Sequence, residues 1–165
     1  MSWMFSRCVS LTSINLLNFN ARNVKDMSLM FDGCTSLISL NLSNFKSQKV
    51  KDMNHMFFDC CSLVNLDLTN FNTQNVTNMS WLFSGCKSLI SLDLSNFNTK
   101  NVENMKRMFF GCESLVSLDL SNFEIPDDTD LASMFFKCNS LKRNKIITKD
   151  KKLRKYIEFF ISHID

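Results

Sequence analysis

Four kinds of residue recur along this chain at a constant interval of 26 residues. The four columns are Cys8, Cys34, Cys60, Cys86, Cys112 and Cys138; Phe5, Phe31, Phe57, Phe83, Phe109 and Phe135; Phe19, Phe45, Phe71, Phe97 and Phe123; and Leu11, Leu37, Leu63, Leu89, Leu115 and Leu141. A strict period of about 20 to 50 residues is typical of stacked supersecondary units that cannot bury their hydrophobic faces alone. The sequence therefore predicts a right-handed solenoid with one coil for each repeat.

The coil from Leu37 to Cys60 shows what each repeat is expected to form. The segment Leu40-Asn41-Leu42 alternates apolar and polar residues, which predicts a short strand with one buried face. The apolar residues after it follow the spacing of one stripe on a short helix; they are Val50, Met53, Met56, Phe57 and Cys60. Asn75 and Asn101 are the expected N-caps of the equivalent helices, and Gly33, Gly85 and Gly111 the expected C-caps.

The interior of this coil follows from the same pattern. Nine side chains are predicted to point inward: Leu37, Leu40, Leu42, Phe45, Val50, Met53, Met56, Phe57 and Cys60. A cysteine at the end of an apolar stripe behaves as a small core residue, so the cysteine column is expected in the core. Cys61 is expected to face solvent, because its column otherwise holds Val9, Thr35, Lys87, Glu113 and Asn139.

The C-terminal segment differs from the array in charge and pattern. Residues 1–141 are predicted to form the repeat array and carry a net charge of −2. Residues 142–165 carry a net charge of +5, so the whole chain has a net charge of +3. Within 142–165, one apolar stripe contains Leu153, Tyr156, Ile157, Phe160, Ile161 and Ile164. The segment is predicted to be a basic amphipathic capping helix.

The repeat also resembles a known family. Residues 89–105 read LISLDLSNFNTKNVENM, and Met108-Phe109-Phe110-Gly111-Cys112 follows. This phrase is similar to the 26-residue repeat of bacterial surface proteins and mycoplasma lipoproteins, within the BspA-like leucine-rich-repeat group. The resemblance covers about residues 1–141 and implies an α/β solenoid of the leucine-rich-repeat type, displayed at the cell surface or secreted, with a function in adhesion and contact with host or matrix.

The exposed face of the predicted sheet is the first candidate site. Pleating turns outward the residues between the buried leucines, which are Asn41, Asp67, Asp93 and Asp119, together with Ser39, Asn65, Ser91 and Ser117. Carboxylates about 5 Å apart repel one another, and a cation or a basic ligand relieves that repulsion. A protein or glycan partner is therefore predicted on this face, with a solvated polar sheet as the alternative.

Aromatic columns provide the second candidate site. Phe58 and Phe110 share one column, and Trp81 lies in another. Exposed aromatic residues in a row can anchor a partner, or they can fold back against the turns. An intracellular scaffold that uses these aromatics and the basic tail is the alternative function, favoured by the lack of a signal peptide in this chain.

Other chemistry has little support in the sequence. His55 and His163 are the only histidines, and neither lies in a metal or triad motif. No enzyme activity, cofactor, metal, membrane span or nucleic-acid partner is expected. The basic residues of the tail are interpreted as the solvent-exposed face of the capping helix, or as neutralising Asp127, Asp128 and Asp130. Met1 to Phe5 match the middle of a repeat, so the chain is expected to begin inside a coil and to self-associate through that uncovered edge.

Overall fold

The chain is a stack of 26-residue coils in a computed structural model that describes residues 1–16 and 18–161, with the side chain of residue 161 left aside. One short strand marks the same place in successive coils. The elements are β1 (Ser39–Asn41), β2 (Asn65–Asp67), β3 (Ser91–Asp93), β4 (Ser117–Asp119), a 3-10 turn (Arg143–Lys145), β5 (Ile146–Ile147) and α1 (Lys151–Ile161). The strands are parallel, and β1–β2 and β3–β4 pair residues 26 positions apart.

The core agrees with the nine inward positions predicted for the second coil. All nine side chains are buried, and none is more than 3% exposed. The phenylalanine columns stack ring on ring from coil to coil, as in Phe31–Phe57, whose centroids lie 5.8 Å apart. Each buried cysteine donates its thiol hydrogen to a phenylalanine carbonyl of the preceding coil; the bond from Cys60 Sγ to Phe31 O is 3.2 Å long.

The predicted short helices do not form within the described coils, and this prediction was wrong. Alternate amides of the turn segment bond to the next coil instead of to their own; Phe31 N to Met56 O, for example, is 2.9 Å. The amides between them close tight turns three residues back, such as Met30 N to Met27 O at 3.3 Å. Because half of the amides serve the neighbouring coil, the i→i−4 ladder of an α-helix is not available.

These turns require left-handed backbone at two places in each coil. Positive φ recurs at the column of Leu29, His55 and Trp81, and again four residues later, at Gly33, Asp59 and Gly85. The glycines therefore end turns and do not cap helices. The predicted N-caps were also wrong in their role. Asn101 Nδ2 donates to Gln74 O of the preceding coil at 2.8 Å, and Asn75 Nδ2 donates to Gln48 O at 2.7 Å. Both asparagines thus link coils.

The sheet is interrupted between the third and fourth coils, and we call this interruption the seam. β1 pairs with β2, and β3 pairs with β4 and β5, but no pairing joins β2 to β3 in the described part of the chain. The neighbouring phenylalanines spread apart there, with Phe71 and Phe97 centroids at 6.5 Å and 27° against 6.1 Å and 9° for Phe45 and Phe71. On the opposite side of the coils, Asn78 bridges both neighbours, so the turn side is continuous.

The helix α1 packs on the last coil through its apolar stripe. Leu153 and Ile157 are buried in the core, and the Tyr156 hydroxyl accepts a 3.0 Å hydrogen bond from Met134 N. Asp150 is the N-cap of the helix, because its Oδ1 accepts a 2.7 Å hydrogen bond from Leu153 N. The helix starts at Lys151 and not at residue 142; between them, the 3-10 turn and β5 extend the sheet. Phe160 is partly buried and stacks on Tyr156, as the stripe predicts. The side chain of Ile161 and all of Ile164, the last two stripe positions, lie outside the described residues, as does His163.

Candidate binding surfaces

The sheet face is defined by the outward residues of β1 to β4, and the structure places the predicted site residues together there. Ser39, Asn41, Asn65, Ser91 and Asp93 are exposed, and Asp67, Ser117 and Asp119 are partly exposed. The register sets Asn41 beside Asp67 and Asp93 beside Asp119. We call Asp67, Asp93 and Asp119 the acidic column. A shallow depression of about 470 Å³ opens on this face between Asn41, Asp67 and Asp93.

Each carboxylate of the acidic column also has a local structural role. Oδ1 of Asp67 accepts hydrogen bonds from Thr69 N at 3.0 Å and from Thr69 Oγ1 at 2.5 Å. These bonds, first from the hydroxyl and then from the amide, hold the pKa of Asp67 below its usual value. Ser95 lowers the pKa of Asp93 in the same way. Hydrogen bonding therefore outweighs the cost of partial desolvation, and both side chains stay ionised at neutral pH.

Asn41 shows that the turn does not need the charge. Its Oδ1 accepts 2.9 Å and 2.7 Å bonds from the amide and hydroxyl of Ser43, which is the geometry that Asp67 makes with Thr69. Asparagine and aspartate are therefore interchangeable in this turn. What the three aspartates add is negative charge at the surface of the sheet.

The sheet face also contains an apolar column that sequence reasoning missed. Ile38 is 51% exposed, Val64 37%, Ile90 54% and Val116 42%, and each directly precedes a strand. Backbone bonds hold them side by side, with Val64 N to Ile38 O at 2.9 Å and Val116 N to Ile90 O at 2.7 Å. The signal was present as β-branched residues 26 positions apart. Strict alternation predicts them to be inward, but the buried leucine just before each one breaks that alternation.

The aromatic residues of the turn side stack on one another. Trp81 contacts His55, Phe58 and Phe110 with ring centroids 5.5 to 5.9 Å apart. Arg107 lies over the Trp81 ring at 4.5 Å from its centroid. All five side chains are partly buried, so the rings stack on one another and leave only part of their surface open to solvent. Within the described residues, Arg107 Nε is buried without a hydrogen-bond acceptor, and the ring contact is what stabilises this cation.

The basic residues of the C-terminal segment make mostly local contacts. Lys152 Nζ donates to the carbonyls of Pro126 at 2.7 Å and Asp127 at 2.5 Å, and does not pair with the aspartate carboxylates. Arg154 donates to Thr148 O, and Arg143 pairs with Glu158. These contacts tie α1 to the last coils, which supports the structural interpretation of the tail.

The cysteine thiols are free, and they differ in their exposure to solvent. All seven cysteines are free, and Cys8 is exposed. Cys61 is half-buried, where the sequence predicted exposure to solvent. Among the residues that the structure describes, no three His, Cys, Asp or Glu side chains converge as metal ligands would. The described helix is too short and too polar to cross a membrane.

The coils, the parallel strands at a 26-residue interval and the stacked core define a leucine-rich-repeat-type solenoid. A crystal structure of a leucine rich cell surface protein from Faecalibacterium prausnitzii has a similar fold, with a TM-score of 0.54 and 20% sequence identity. The match covers 89% of this chain and 32% of that one, so the chain spans about a third of that protein's length. This similarity confirms the repeat fold.

The particular family is shown by sequence. Residues 1–91 and 58–160 match the family described as "Mycoplasma protein of unknown function, DUF285", and the chain belongs to that family. This assignment confirms the predicted resemblance to the mycoplasma-type repeat. No protein with a curated function matches the sequence significantly.

Proposed function

We propose that this chain is a non-enzymatic recognition module of a surface protein, and that it binds a protein or glycan partner through the sheet face. The observation that carries the proposal is the juxtaposition on one face of the acidic column and the exposed apolar column. Exposed aliphatic side chains in a row are uncommon on a monomer without a partner. A face that combines them with ordered polar groups has the composition of a recognition surface.

The surface location rests on relatives. The family description names mycoplasma proteins, and the similar crystal structure is described as a cell surface protein. The alternative, an intracellular scaffold that binds through Trp81, Phe58 and Phe110, has weaker structural support. Those rings stack on neighbours and are partly buried, so only part of their surface is open to a partner.

Protease digestion of intact source cells, compared with lysed cells, tests the location. Digestion of the intact cells supports surface display, and protection until lysis overturns it. Binding is tested with immobilised protein against arrays of extracellular proteins and oligosaccharides. The sheet-face variant Asp67→Asn/Asp93→Asn/Ile90→Ser is compared with a turn-side variant, Phe136→Ser. The ring of Phe136 stacks on Phe110 at a centroid distance of 5.4 Å and is 45% exposed.

We expect the sheet-face variant to lose binding to every specific ligand and Phe136→Ser to retain that binding. The opposite pattern supports the aromatic scaffold. Circular dichroism and a denaturation midpoint for each variant separate loss of binding from loss of fold.

A further inference from the structure

The sheet face carries two parallel columns whose chemistry and spacing differ. Along each strand, the apolar column lies three residues before the acidic column, as Ile90 lies before Asp93. Three residues of extended chain cover about 10 Å. Between the two columns lie short polar side chains, Ser39, Asn65, Ser91 and Ser117. The face is therefore a shallow track, with an aliphatic margin, a negatively charged margin and a low floor.

The width of the track fits one α-helix. A helix with its side chains is about 10 to 12 Å across. Laid over the low floor along the stacking direction, it places one flank on Ile38, Val64, Ile90 and Val116 and the other flank on Asp67, Asp93 and Asp119. The small floor residues let its backbone approach the sheet.

The spacing along the track also fits a helix better than an extended peptide. Neighbouring strands repeat about every 4.8 Å, so four coils present their columns over about 14 Å. Side chains on one helix stripe recur about every 5.4 Å and cover about 16 Å over the same three intervals. Same-face side chains of a strand recur about every 6.7 Å and cover about 20 Å, which loses register within two coils.

Charge selects among helices. The acidic column contributes three negative charges, and the described sheet face has no basic side chain at the equivalent positions of β1 to β4. An acidic helix is repelled, whereas lysine or arginine on one flank pairs with each aspartate. The chain's own α1 has a basic, amphipathic composition, but Leu153 and Ile157 are buried on its own core. Among the described residues, α1 is therefore not available to bind the sheet face.

We propose that the partner of the sheet face is a basic amphipathic α-helix of another protein, lying across the strands with its aliphatic flank on the apolar column and its cationic flank on the acidic column. This inference rests on the proposed function and specifies its partner. It differs from it in excluding extended peptides and neutral glycans as the principal ligands.

The test uses four capped peptides of about 18 residues, long enough to be helical. One is a Leu/Lys amphipathic helix, one is its scrambled form, one has glutamate in place of lysine, and one alternates Val and Lys as an extended strand. Each is titrated into the ¹⁵N-labelled chain at low salt and at 0.5 M salt. We expect only the first peptide to bind and to shift the amides of Ser91, Asp93 and Asn65, with weaker binding at high salt.

Matched variants localise the charges. Asp67→Asn/Asp93→Asn retains the hydrogen-bond acceptor of each turn, as Asn41 shows. This variant is expected to bind the basic helical peptide about 3- to 10-fold more weakly. The control Asp127→Asn/Asp128→Asn removes the same number of exposed charges away from the sheet face and is expected to leave binding unchanged. Ile90→Ser is expected to weaken binding at both salt concentrations, while Val9→Ser, also at an exposed site, has no effect.

Preferential binding of the extended or the acidic peptide, or equal weakening by the control variant, overturns the inference. If an oligosaccharide or a non-helical protein binds the sheet face in the array experiment while the basic helix does not, the inference fails and the proposed function stands. If nothing binds this face in either experiment, both fail.

Discussion

At the scale of single residues, the cysteine column joins the coils through hydrogen bonds. Five thiols bond to the phenylalanine carbonyls of the preceding coils at 2.9 to 3.2 Å; they are Cys34, Cys60, Cys86, Cys112 and Cys138. Burial raises the pKa of each thiol, to about 11 for Cys34 and about 12 for Cys138. A thiolate is thus excluded from the folded core, and these side chains act as small donors rather than reactive groups.

The first prediction is that the protein loses stability at alkaline pH. Because folded thiols titrate above the unfolded value of about 8.5, their contribution is complete below that pH and falls as the pH rises through the folded values. Each buried thiol is expected to lower the free energy of unfolding by about 1.4 kcal/mol per pH unit in that window. Urea denaturation under reducing conditions at pH 7.5 and pH 9.5 measures the effect.

Substitution at one coil tests the cause. Cys86→Ser retains a hydroxyl donor for Phe57 O but does not titrate in this range, so the alkaline slope should decrease by the share of one thiol. Cys8→Ser, which replaces an exposed thiol outside the core, is the matched control for the substitution itself. Equal slopes in the parent and Cys86→Ser would show that another group titrates.

At the scale of elements, the left-handed turns explain where the sequence prediction succeeded and where it failed. The inward residues were predicted correctly, because a turn that closes every three residues directs side chains to the core at nearly the same spacing as a helix. Coil-to-coil bonds decide between the two, and no local pattern encodes them. The column of Leu29, His55 and Trp81 has positive φ without any glycine, so nothing in its composition indicates left-handed backbone.

The same reasoning applies to the binding surfaces. The outward position of Asp67 and Asp93 followed from pleating alone, but the exposed Ile90 did not, since it depends on where the strand begins after a buried leucine. Stacking of Trp81 with Phe110 and Arg107 requires knowing how adjacent turns superpose. The two partners of each ring contact lie in different repeats, so the pattern within one repeat cannot predict the contact.

A second prediction concerns the glycine column. Gly85 has φ +76°, and a Cβ there would collide with the Asp59 carboxylate, so Gly85→Ala is expected to cost about 2 to 3 kcal/mol. Gly111 has φ +71° but no atom nearer than 3.9 Å to an added Cβ, so Gly111→Ala should cost only about 1 kcal/mol. Chemical denaturation of the two variants measures the difference.

The double variant Asp59→Ala/Gly85→Ala separates the two causes. Removing the carboxylate relieves the closest contact but leaves the backbone strain and the Cα of residue 59, which lies 3.2 Å from an added Cβ. The additional cost of Gly85→Ala in that background should therefore fall toward that of Gly111→Ala. An undiminished cost would mean that the carboxylate moves aside freely and that strain alone accounts for the effect.

At the scale of the whole molecule, the seam divides the sheet while the turn side stays continuous. Leu42 N, Leu94 N and Leu120 N each bond to the next coil, at 2.9, 3.0 and 2.8 Å. The described bonds include no equivalent link from Leu68 N to Asp93 O. The third prediction is that the Leu68 amide exchanges with solvent at least about tenfold faster than the other three, since local opening there breaks no sheet bond. Exchange measured by NMR at neutral pH checks it, and uniform protection of the four amides would argue against an open seam.

The capping role of α1 gives the fourth prediction. Ile157 is 3% exposed against the last coil, so Ile157→Ala should lower the free energy of unfolding by about 2 to 4 kcal/mol. Lys155→Ala, on the exposed face of the same helix, should change it by less than about 0.5 kcal/mol. Thermal or urea unfolding compares them, and a small effect of Ile157→Ala would show that the array is stable without this helix.

The absence of any disulfide among the seven free cysteines has a mechanical consequence. No disulfide cross-links one coil to another, so tension applied along the stack can detach the end coils one at a time while the backbone keeps them tethered. A detached coil of 26 residues lengthens from about 5 Å of stack to roughly 85 to 90 Å of extended chain. A repeat array without disulfides, pulled between two attachment points, would extend in discrete steps and dissipate mechanical energy at each step.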